Sequence, residues 1–343
     1  MRQIWITRPG PPSVLQVREA DDPVAGPGEV RIRVKAAGVN FADLMARLGI
    51  YPDAPRIPCV IGYEVAGIVD QVGADVTDLT VGERVFGMPK FGGYSDTIVL
   101  PAAQARRMPA AMSFEEAAAL PVVYLTAHHI LFFTGHLRPG SKVLIHSAAG
   151  GVGLAAIQLA HTRDCTIFGT ASKSKHEYLR SVGCQHPLDS AGDVTAQVRA
   201  IVGETGLDLV LDPVGGRSWR EGYALLGPAG RLVCYGFSTA ATGTRRNLLH
   251  AGVELLRIPR WSPLALMNDN KEVAGVNMAH LFGRLDLLQP QFDALAALYE
   301  QGKIAPTVDR TFPFDEAAAA HQYLHDRKAK GKVILVPWGS TMA

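Results

Sequence analysis

Cysteine is scarce in this chain and poorly placed for metal chemistry. Cys59, Cys165, Cys184 and Cys234 are the only four in 343 residues, and no two form a C-x-x-C pair. That excludes a readable zinc knuckle or disulfide framework and suits buried thiols in a reducing compartment. A surplus of one charge is also lacking. The 34 Lys and Arg against 32 Asp and Glu leave +2, too little basic excess to carry binding to a phosphate backbone, so no nucleic-acid partner is expected. The opening MRQIWITRPG has too short an apolar run for a signal peptide. Stretches 117–137 and 143–162 contain no Asp, Glu, Lys or Arg, but Pro121, Gly135 and three His interrupt the first, and clustered glycines with Ser and His interrupt the second. Both read as buried strand–turn–helix material and not as membrane spans. A soluble, cytoplasmic chain is expected, long enough for two domains and, at 48% hydrophobic residues, able to bury a large core.

The β character is concentrated in the first ~120 residues, by turn spacing and period-2 alternation. Val30–Ala36 alternates apolar and basic residues, and Val65–Val72 and Arg84–Gly87 are short apolar runs between glycine turns. From about residue 123 the rhythm becomes strand, glycine turn, helix, with buried strands at Lys142–His146, Cys165–Thr170, Leu207–Asp212 and Arg231–Phe237. Alternation of this kind implies a parallel sheet covered by helices on both faces. Ser174 and Glu177 stand in capping-box spacing for one of these helices. The tail reads as helices over Phe292–Gln301 and Phe314–Arg327 and a closing strand at Lys332–Pro337.

The most informative segment is Val143-Leu-Ile-His-Ser-Ala-Ala-Gly-Gly-Val-Gly153. Ala148, Gly150 and Gly153 stand at the three glycine positions of G-x-G-x-x-G, with Gly151 and Val152 between the last two. Small residues let the backbone approach a pyrophosphate, the last glycine lets the helix lie close to the sheet, and the helix N-terminus supplies N–H groups and positive dipole. An NAD site places an acid about 20 residues on, to accept from the ribose 2′-hydroxyl. Here the sequence reads Gly169-Thr-Ala-Ser-Lys-Ser-Lys175, without an acid. Ser172, Lys173 and Lys175 could instead hold a 2′-phosphate, which makes NADPH the expected cofactor.

At this point the chain resembles the medium-chain dehydrogenase/reductase superfamily, in its zinc-free quinone-oxidoreductase (zeta-crystallin-like) branch. The matching stretches are Ala37-Gly-Val-Asn-Phe-Ala-Asp43, Arg47-Leu-Gly-Ile-Tyr51, Gly62-Tyr-Glu-Val-Ala-Gly67, Gly82-Glu-Arg-Val85, the turn at 148–153, Asp212-Pro-Val-Gly-Gly216 and Gly331-Lys-Val-Ile-Leu335. Within the branch, Ile167-Phe-Gly-Thr-Ala-Ser172 and Lys175-His176 look most like the synaptic-vesicle membrane protein homologues. The resemblance implies an α/β fold in which a doubly wound Rossmann sheet is inserted into a GroES-like β-rich catalytic domain. The implied boundaries are 1–124 and 288–343 for the catalytic domain and 125–287 for the NADP-binding domain. It also implies a homodimer formed by pairing the edge strands of two Rossmann domains. Zinc-dependent relatives need a Cys at the position of Asn40, a His at Tyr63 and a Cys near Val122, so no metal is expected.

The same resemblance assigns roles residue by residue. Asn40 would donate its amide to the substrate oxygen or the nicotinamide region, and Tyr51 would line the cleft mouth, stack on substrate or deliver a proton. Thr126 would lie beside the nicotinamide ribose, Gly236 and Phe237 at the carboxyl end of a strand, and Lys332 near the adenosine phosphate. Ser190 departs from the Tyr that several relatives carry over the 2′-phosphate. His128 and His129, adjacent on a helix, point about 100° apart and read as satisfied buried residues; Asp43 reads as a cap that could orient Asn40 or Arg47. The expected reaction is NADPH-dependent reduction of a quinone or α,β-unsaturated carbonyl, a small electrophilic substrate. Two other readings stand beside it. One is an NADPH-binding, largely non-catalytic protein acting through a membrane surface or partner, to which the segment 242–267, with Arg245, Arg246, His250 and Arg257 among Leu, Ile and Trp, would contribute. The other is an enoyl-thioester reductase, whose carrier would require a basic rim.

Overall fold

The structure, a computed structural model, describes residues 1–241, 243–244 and 247–337. Arg245 and Arg246, singled out above, lie outside the described residues. In the first part of the chain the strands are β1 (Arg2–Ile6), β2 (Leu15–Glu19), β3 (Glu29–Val39), β4 (Cys59–Val60), β5 (Val65–Val72), β6 (Arg84–Gly87), β7 (Thr97–Pro101) and β8 (Ala105–Arg107). Then follow β9 (Lys142–Ile145), β10 (Thr166–Ala171), β11 (His186–Asp189), β12 (Leu207–Asp212), β13 (Leu226–Cys234) and β14 (Glu272–Gly275), and finally β15 (Val308–Pro313) and β16 (Lys332–Val336).

Two large sheets result. One is six-stranded and wholly parallel, in the order β11-β10-β9-β12-β13-β14. Its order reverses between β9 and β12, which places the ligand crevice at the carboxyl ends of those strands. Val143 and Ile145 of β9 pack into one apolar cluster with the helix Gly151–His161, while Leu144 packs into another with Val198 and Leu225. Successive residues of β9 thus feed opposite faces, the signature of a sheet covered on both sides. The other sheet runs β15-β16-β3-β5-β6-β8, with β7 also paired to β3, and a small β2-β1-β4 sheet lies beside it. Strands from the two ends of the chain therefore share one sheet, and the parallel sheet is formed from the residues between them. This is a Rossmann sheet joined to a GroES-like sheet domain.

Some element limits differ from expectation for local reasons. The strand expected at Arg231–Phe237 runs from Leu226 to Cys234, so Gly236 and Phe237 lie in the turn beyond it. Ser174 does not open a helix: its hydroxyl lies 3.1 Å from that of Ser172, Lys173–Lys175 form a 3-10 turn, and the helix is His176–Ser181. The helix expected from Phe292 starts at Leu285, with Pro290 accommodated inside it. The tail helix is Ala317–His325, preceded by a 3-10 turn at Phe314–Glu316.

Candidate active site

The glycine turn is built by close packing. Ser147 takes a positive φ of 54°, its N–H donates to Thr170 Oγ1 at 3.1 Å, and Ala148 N–H donates to Thr170 O at 2.9 Å. A Cβ on Gly153 would lie 2.5 Å from Ala148 O, so only glycine lets the helix approach this strand. A Cβ on Gly150 would meet nothing nearer than Ser147 O at 3.3 Å, which leaves the mouth of the turn open to a ligand. Gly150 caps the helix Gly151–His161. By helix geometry the N–H groups of Gly151, Val152 and Gly153 have no acceptor one turn back and are available to an anion. This cradle, closed by sterics behind and open in front, fits a dinucleotide pyrophosphate.

At the end of β10, Ser172 is exposed and Lys175 half-buried. The Lys175 ammonium donates to Arg327 O at 2.7 Å and Ala329 O at 2.6 Å, and burial draws its pKa below the usual lysine value. It therefore ties the nucleotide-binding sheet to the C-terminal loop. Asp189, in register with Ala171 on the next strand, is an acid that inspection of the segment 169–175 alone misses; its carboxylate lies 3.6 Å from Lys173 Nζ.

The catalytic side of the crevice holds a buried polar cluster. Asn40 precedes the helix Phe41–Arg47, and its backbone N–H donates to Asp43 Oδ2 at 2.8 Å, which fixes the turn. Asn40 Nδ2 donates to Glu64 Oε1 at 2.9 Å, and Asn40 Oδ1 accepts from Lys332 Nζ at 2.6 Å. Lys332 also pairs with Glu64, and Glu64 Oε2 accepts from Val122 N–H at 2.8 Å. Lys332 is 3% exposed, Glu64 0% and Asn40 8%. Lys332, expected near the adenosine phosphate, places its ammonium in this cluster, against Asn40 and Glu64. A buried lysine needs a counter-charge, and Glu64 supplies it. Glu64 was not among the expected site residues, although it is the only charge between Arg56 and Asp70, an unpaired acid in an apolar run that had to find a cation. Gly331 joins this cluster to the glycine turn, since its N–H donates to Ala149 O at 3.1 Å and it bridges Gly150 in parallel register.

Behind Asn40 a second buried chain begins. Asp43 Oδ2 also accepts from Tyr94 OH at 3.0 Å, and that hydroxyl lies 3.1 Å from His321 Nε2. Burial pushes the Asp43 carboxyl up to about 7 and holds the His321 imidazole well below its usual value. Arg47 is fully buried, donating to Gly10 O and touching His325 Nε2.

Tyr51 is half-buried, edge-on to Tyr63 with ring centroids 6.3 Å apart, and Tyr63 in turn packs on Phe91 at 5.2 Å. Burial first, and then the charge of Asp53, raise the Tyr51 hydroxyl to about 12. Thr126, 7% exposed, donates its hydroxyl to Val122 O at 2.6 Å and keeps its lone pairs for other donors. Phe237 stacks on Trp219 at 5.7 Å and lies over Gly215, whose φ of +90° and missing Cβ make room for the ring. His128 and His129 are both held by Gln291, through Oε1 to His128 Nδ1 at 3.1 Å and Nε2 to His129 Nδ1 at 3.1 Å. The structure thus brings Asn40 and Lys332 together beside the glycine turn and leaves Ser172 and Lys175 at the rim beyond β10. Among the described residues, no three of His, Cys, Asp and Glu come together in a way that could hold a metal ion.

Residues 26–110 match the family described as the alcohol dehydrogenase GroES-like domain, and residues 182–335 the family described as zinc-binding dehydrogenase. The rat synaptic vesicle membrane protein VAT-1 homolog is 44% identical over 94% of this chain and 80% of its own length. A 2-haloacrylate reductase of Burkholderia sp is 35% identical over 91% of this chain and 92% of its own length. Among solved structures, the human VAT-1 homolog-like protein superposes with a TM-score of 0.86 at 34% identity, covering 98% of both chains. The Escherichia coli quinone oxidoreductase complexed with NADPH superposes with a TM-score of 0.87 at 28% identity, covering 98% of this chain and 100% of that one. The chain is an oxidoreductase of the medium-chain dehydrogenase/reductase superfamily and belongs to the quinone-oxidoreductase-like group that contains the VAT-1 homologues.

Proposed function

We propose that this chain reduces quinones or α,β-unsaturated carbonyls with NADPH, without zinc, as a homodimer in the cytoplasm. The observation that carries this reading is the Asn40–Glu64–Lys332 cluster, one residue from the contact between Gly331 and the glycine turn. It puts a charge-balanced hydrogen-bonding group, not a metal donor set, at the crevice. By the resemblance, zinc-dependent relatives would carry ligands at the positions of Asn40 and Tyr63 and near Val122.

NADPH would lie with its pyrophosphate on the N–H groups of Gly151, Val152 and Gly153, its 2′-phosphate near Ser172 and Lys175, and its nicotinamide end toward Thr126, Gly236 and Phe237. When bound, it supplies a hydride to the electron-poor carbon of a conjugated acceptor. Lys332 and Glu64 hold Asn40 in one orientation and leave its second amide hydrogen to fix the acceptor oxygen, as preorganised donors do where charge develops. Tyr51, with its proton held up to about 12, donates a hydrogen bond to that oxygen, and water delivers the proton that completes the reduction. The dimer would form along β14, one of the two edge strands of the parallel sheet.

The test is a panel of quinones, enones and an enoyl thioester, followed by NADPH consumption. Turnover of quinones or enones is expected; turnover confined to the thioester would favour an enoyl-thioester reductase. Absence of turnover on every acceptor would remove the catalytic reading.

One observation favours a second reading, peripheral contact with a lipid surface. On the helices Leu248–Leu256 and Pro263–Asp269, Leu249 is 86% exposed, Leu256 87% and Met267 73%, a density of bare apolar side chains that monomeric surfaces rarely carry. Arg257 and Arg260 lie between them in sequence. No helix among the described residues is long and apolar enough to cross a membrane, so such contact would be interfacial. Co-sedimentation with anionic liposomes, lost in Leu249→Glu/Leu256→Glu, is the expected result; no co-sedimentation of the native protein would dismiss it.

A further inference from the structure

Asp53 lies two residues beyond Tyr51, on the catalytic-domain loop, yet both its carboxylate oxygens are taken by residues more than 220 positions away. Asn277 Nδ2 donates to Asp53 Oδ2 at 2.9 Å, across 224 positions. His280 Nε2 lies 2.9 Å from Asp53 Oδ1, across 227 positions. Asn277 is itself fixed. Asn277 Oδ1 accepts from Ala279 N–H at 3.1 Å and caps the 3-10 turn Met278–His280, which aims its amide nitrogen outward. The hydrogen bonds from His280 and Asn277 hold the Asp53 carboxyl below the usual range, so it is ionised, and the charge of Lys90 adds to this.

The position of this contact gives it meaning. The segment 276–280 leaves the carboxyl end of β14, the side on which open parallel sheets bind ligands. On the other domain, Ala54 N–H donates to Tyr51 O at 3.2 Å, so residues 51–54 form one closed turn and Asp53 cannot shift without moving Tyr51. Tyr51, Phe91, Val276 and Met278 all pack against the same apolar cluster. Residues on both sides of the polar clamp are thus packed onto that cluster.

We propose that Asp53, gripped by Asn277 and His280, is a positioning residue that latches the Tyr51 loop to the nucleotide-binding domain across the mouth of the substrate cleft. The proposal rests on the crevice being the substrate site of the reductase read above. An exposed hydrogen bond is individually weak, and a latch that must open for each turnover should be. The closed state orders Tyr51 over bound acceptor; the open state admits substrate and releases product. A gate of this kind acts on substrate affinity and release more than on the chemical step.

The experiment uses the full chain with His280→Ala, Asp53→Asn, their double variant and His280→Gln, which keeps a donor. Amide hydrogen exchange across residues 49–57 is expected to accelerate about three- to tenfold in Asp53→Asn and by less in His280→Ala, which keeps the Asn277 bond, with the double variant no faster than Asp53→Asn alone. Exchange in β9 should be unchanged, and His280→Gln should stay near the native rate. With an accepted quinone or enone, KM should rise by a similar factor while kcat holds or increases. Unchanged exchange in His280→Ala, additive effects in the double variant, or a fall in kcat with KM unchanged would each overturn the latch. The exchange result decides the latch even if no acceptor is turned over, an outcome that would count against the reductase reading alone.

Discussion

The glycine turn and the Asn40–Glu64–Lys332 cluster face the same crevice and are made in opposite ways. The turn is backbone: eleven consecutive residues from Val143 to Gly153 supply strand, bend and helix start, and its selectivity comes from what is missing at Gly150 and Gly153. The cluster is side chains: Asn40, Glu64 and Lys332 come from three separated elements, and its closing bond spans 292 positions. The turn is open to solvent at its mouth, whereas in the cluster one buried cation, Lys332, balances one buried anion, Glu64, behind the Asn40 amide. A backbone site tolerates change everywhere except where a Cβ would collide. A buried ionic site tolerates change only when both partners change together.

The sharpest way to break this contrast is to remove one buried charge. Lys332→Met should cost about 3–5 kcal/mol of unfolding free energy, because Glu64 is left charged without a partner. Lys332→Met combined with Glu64→Gln should recover most of that loss, while both variants lose acceptor turnover. Urea denaturation measures the first claim and the acceptor panel the second. A Lys332→Met loss below about 1 kcal/mol would mean that the pair behaves like a surface ion pair.

The turn should answer differently. Gly153→Ala puts a Cβ 2.5 Å from Ala148 O and should destabilise by about 1–3 kcal/mol through overpacking. Gly150→Ala has 3.3 Å of room and should leave the melting temperature within a few degrees while weakening NADPH binding, measured by calorimetric titration. Equal stability losses at the two glycines would show that both positions serve packing alone.

These differences explain what could be read from the sequence. The strands Val65–Val72 and Arg84–Gly87 were delimited to the residue, because turn glycines and apolar runs are neighbours in the chain. The turn at 148–153 was visible for the same reason. The pairing of Lys332 with Glu64 was not, since nothing near Lys332 indicates which distant acid will meet it. Nor was Asp189 visible as the partner of Lys173, because parallel register, not sequence, sets it beside Ala171. Phe237 lies outside its expected strand because β13 ends at Cys234 and the chain beyond it is held on the neighbouring turn instead, Tyr235 N–H donating to Asp212 O at 3.1 Å and Ser238 N–H to Pro213 O at 3.0 Å.

Asp43, at the border between cluster and core, adds a pH dependence. Its carboxyl is raised by burial from 3.8 to about 7, so between those values the folded chain keeps a proton that the unfolded chain has released. Stability from this group is therefore full below about pH 4 and is lost as pH rises through about 7. Asp43→Asn removes that loss, so the variant's stability should rise relative to the native protein by up to about 1.4 kcal/mol per pH unit across the window. Urea denaturation at pH 4, 5.5 and 7 measures the difference. Parallel profiles would place Asp43 in a wetter setting than its hydrogen bonds from Asn40 and Tyr94 imply.

The smallest effect concerns the rim, where the contrast between the two regions is softest. Lys175 is a side-chain ligand for the nucleotide site, yet here it ties down the carbonyls of Arg327 and Ala329. If it turns to a 2′-phosphate, it exchanges two neutral acceptors for one charged acceptor, and the net gain is a fraction of a charge-assisted bond. Lys175→Glu should therefore weaken NADPH by about tenfold, on the order of 1.4 kcal/mol, and leave NADH affinity nearly unchanged, so the NADPH/NADH ratio falls by the same factor. Lys175→Met separates the two duties, since it loses the carbonyl ties without adding repulsion. If Met and Glu variants lower NADPH and NADH affinity equally, Lys175 serves the domain junction and the preference for NADPH must come from Ser172 and the neighbouring backbone.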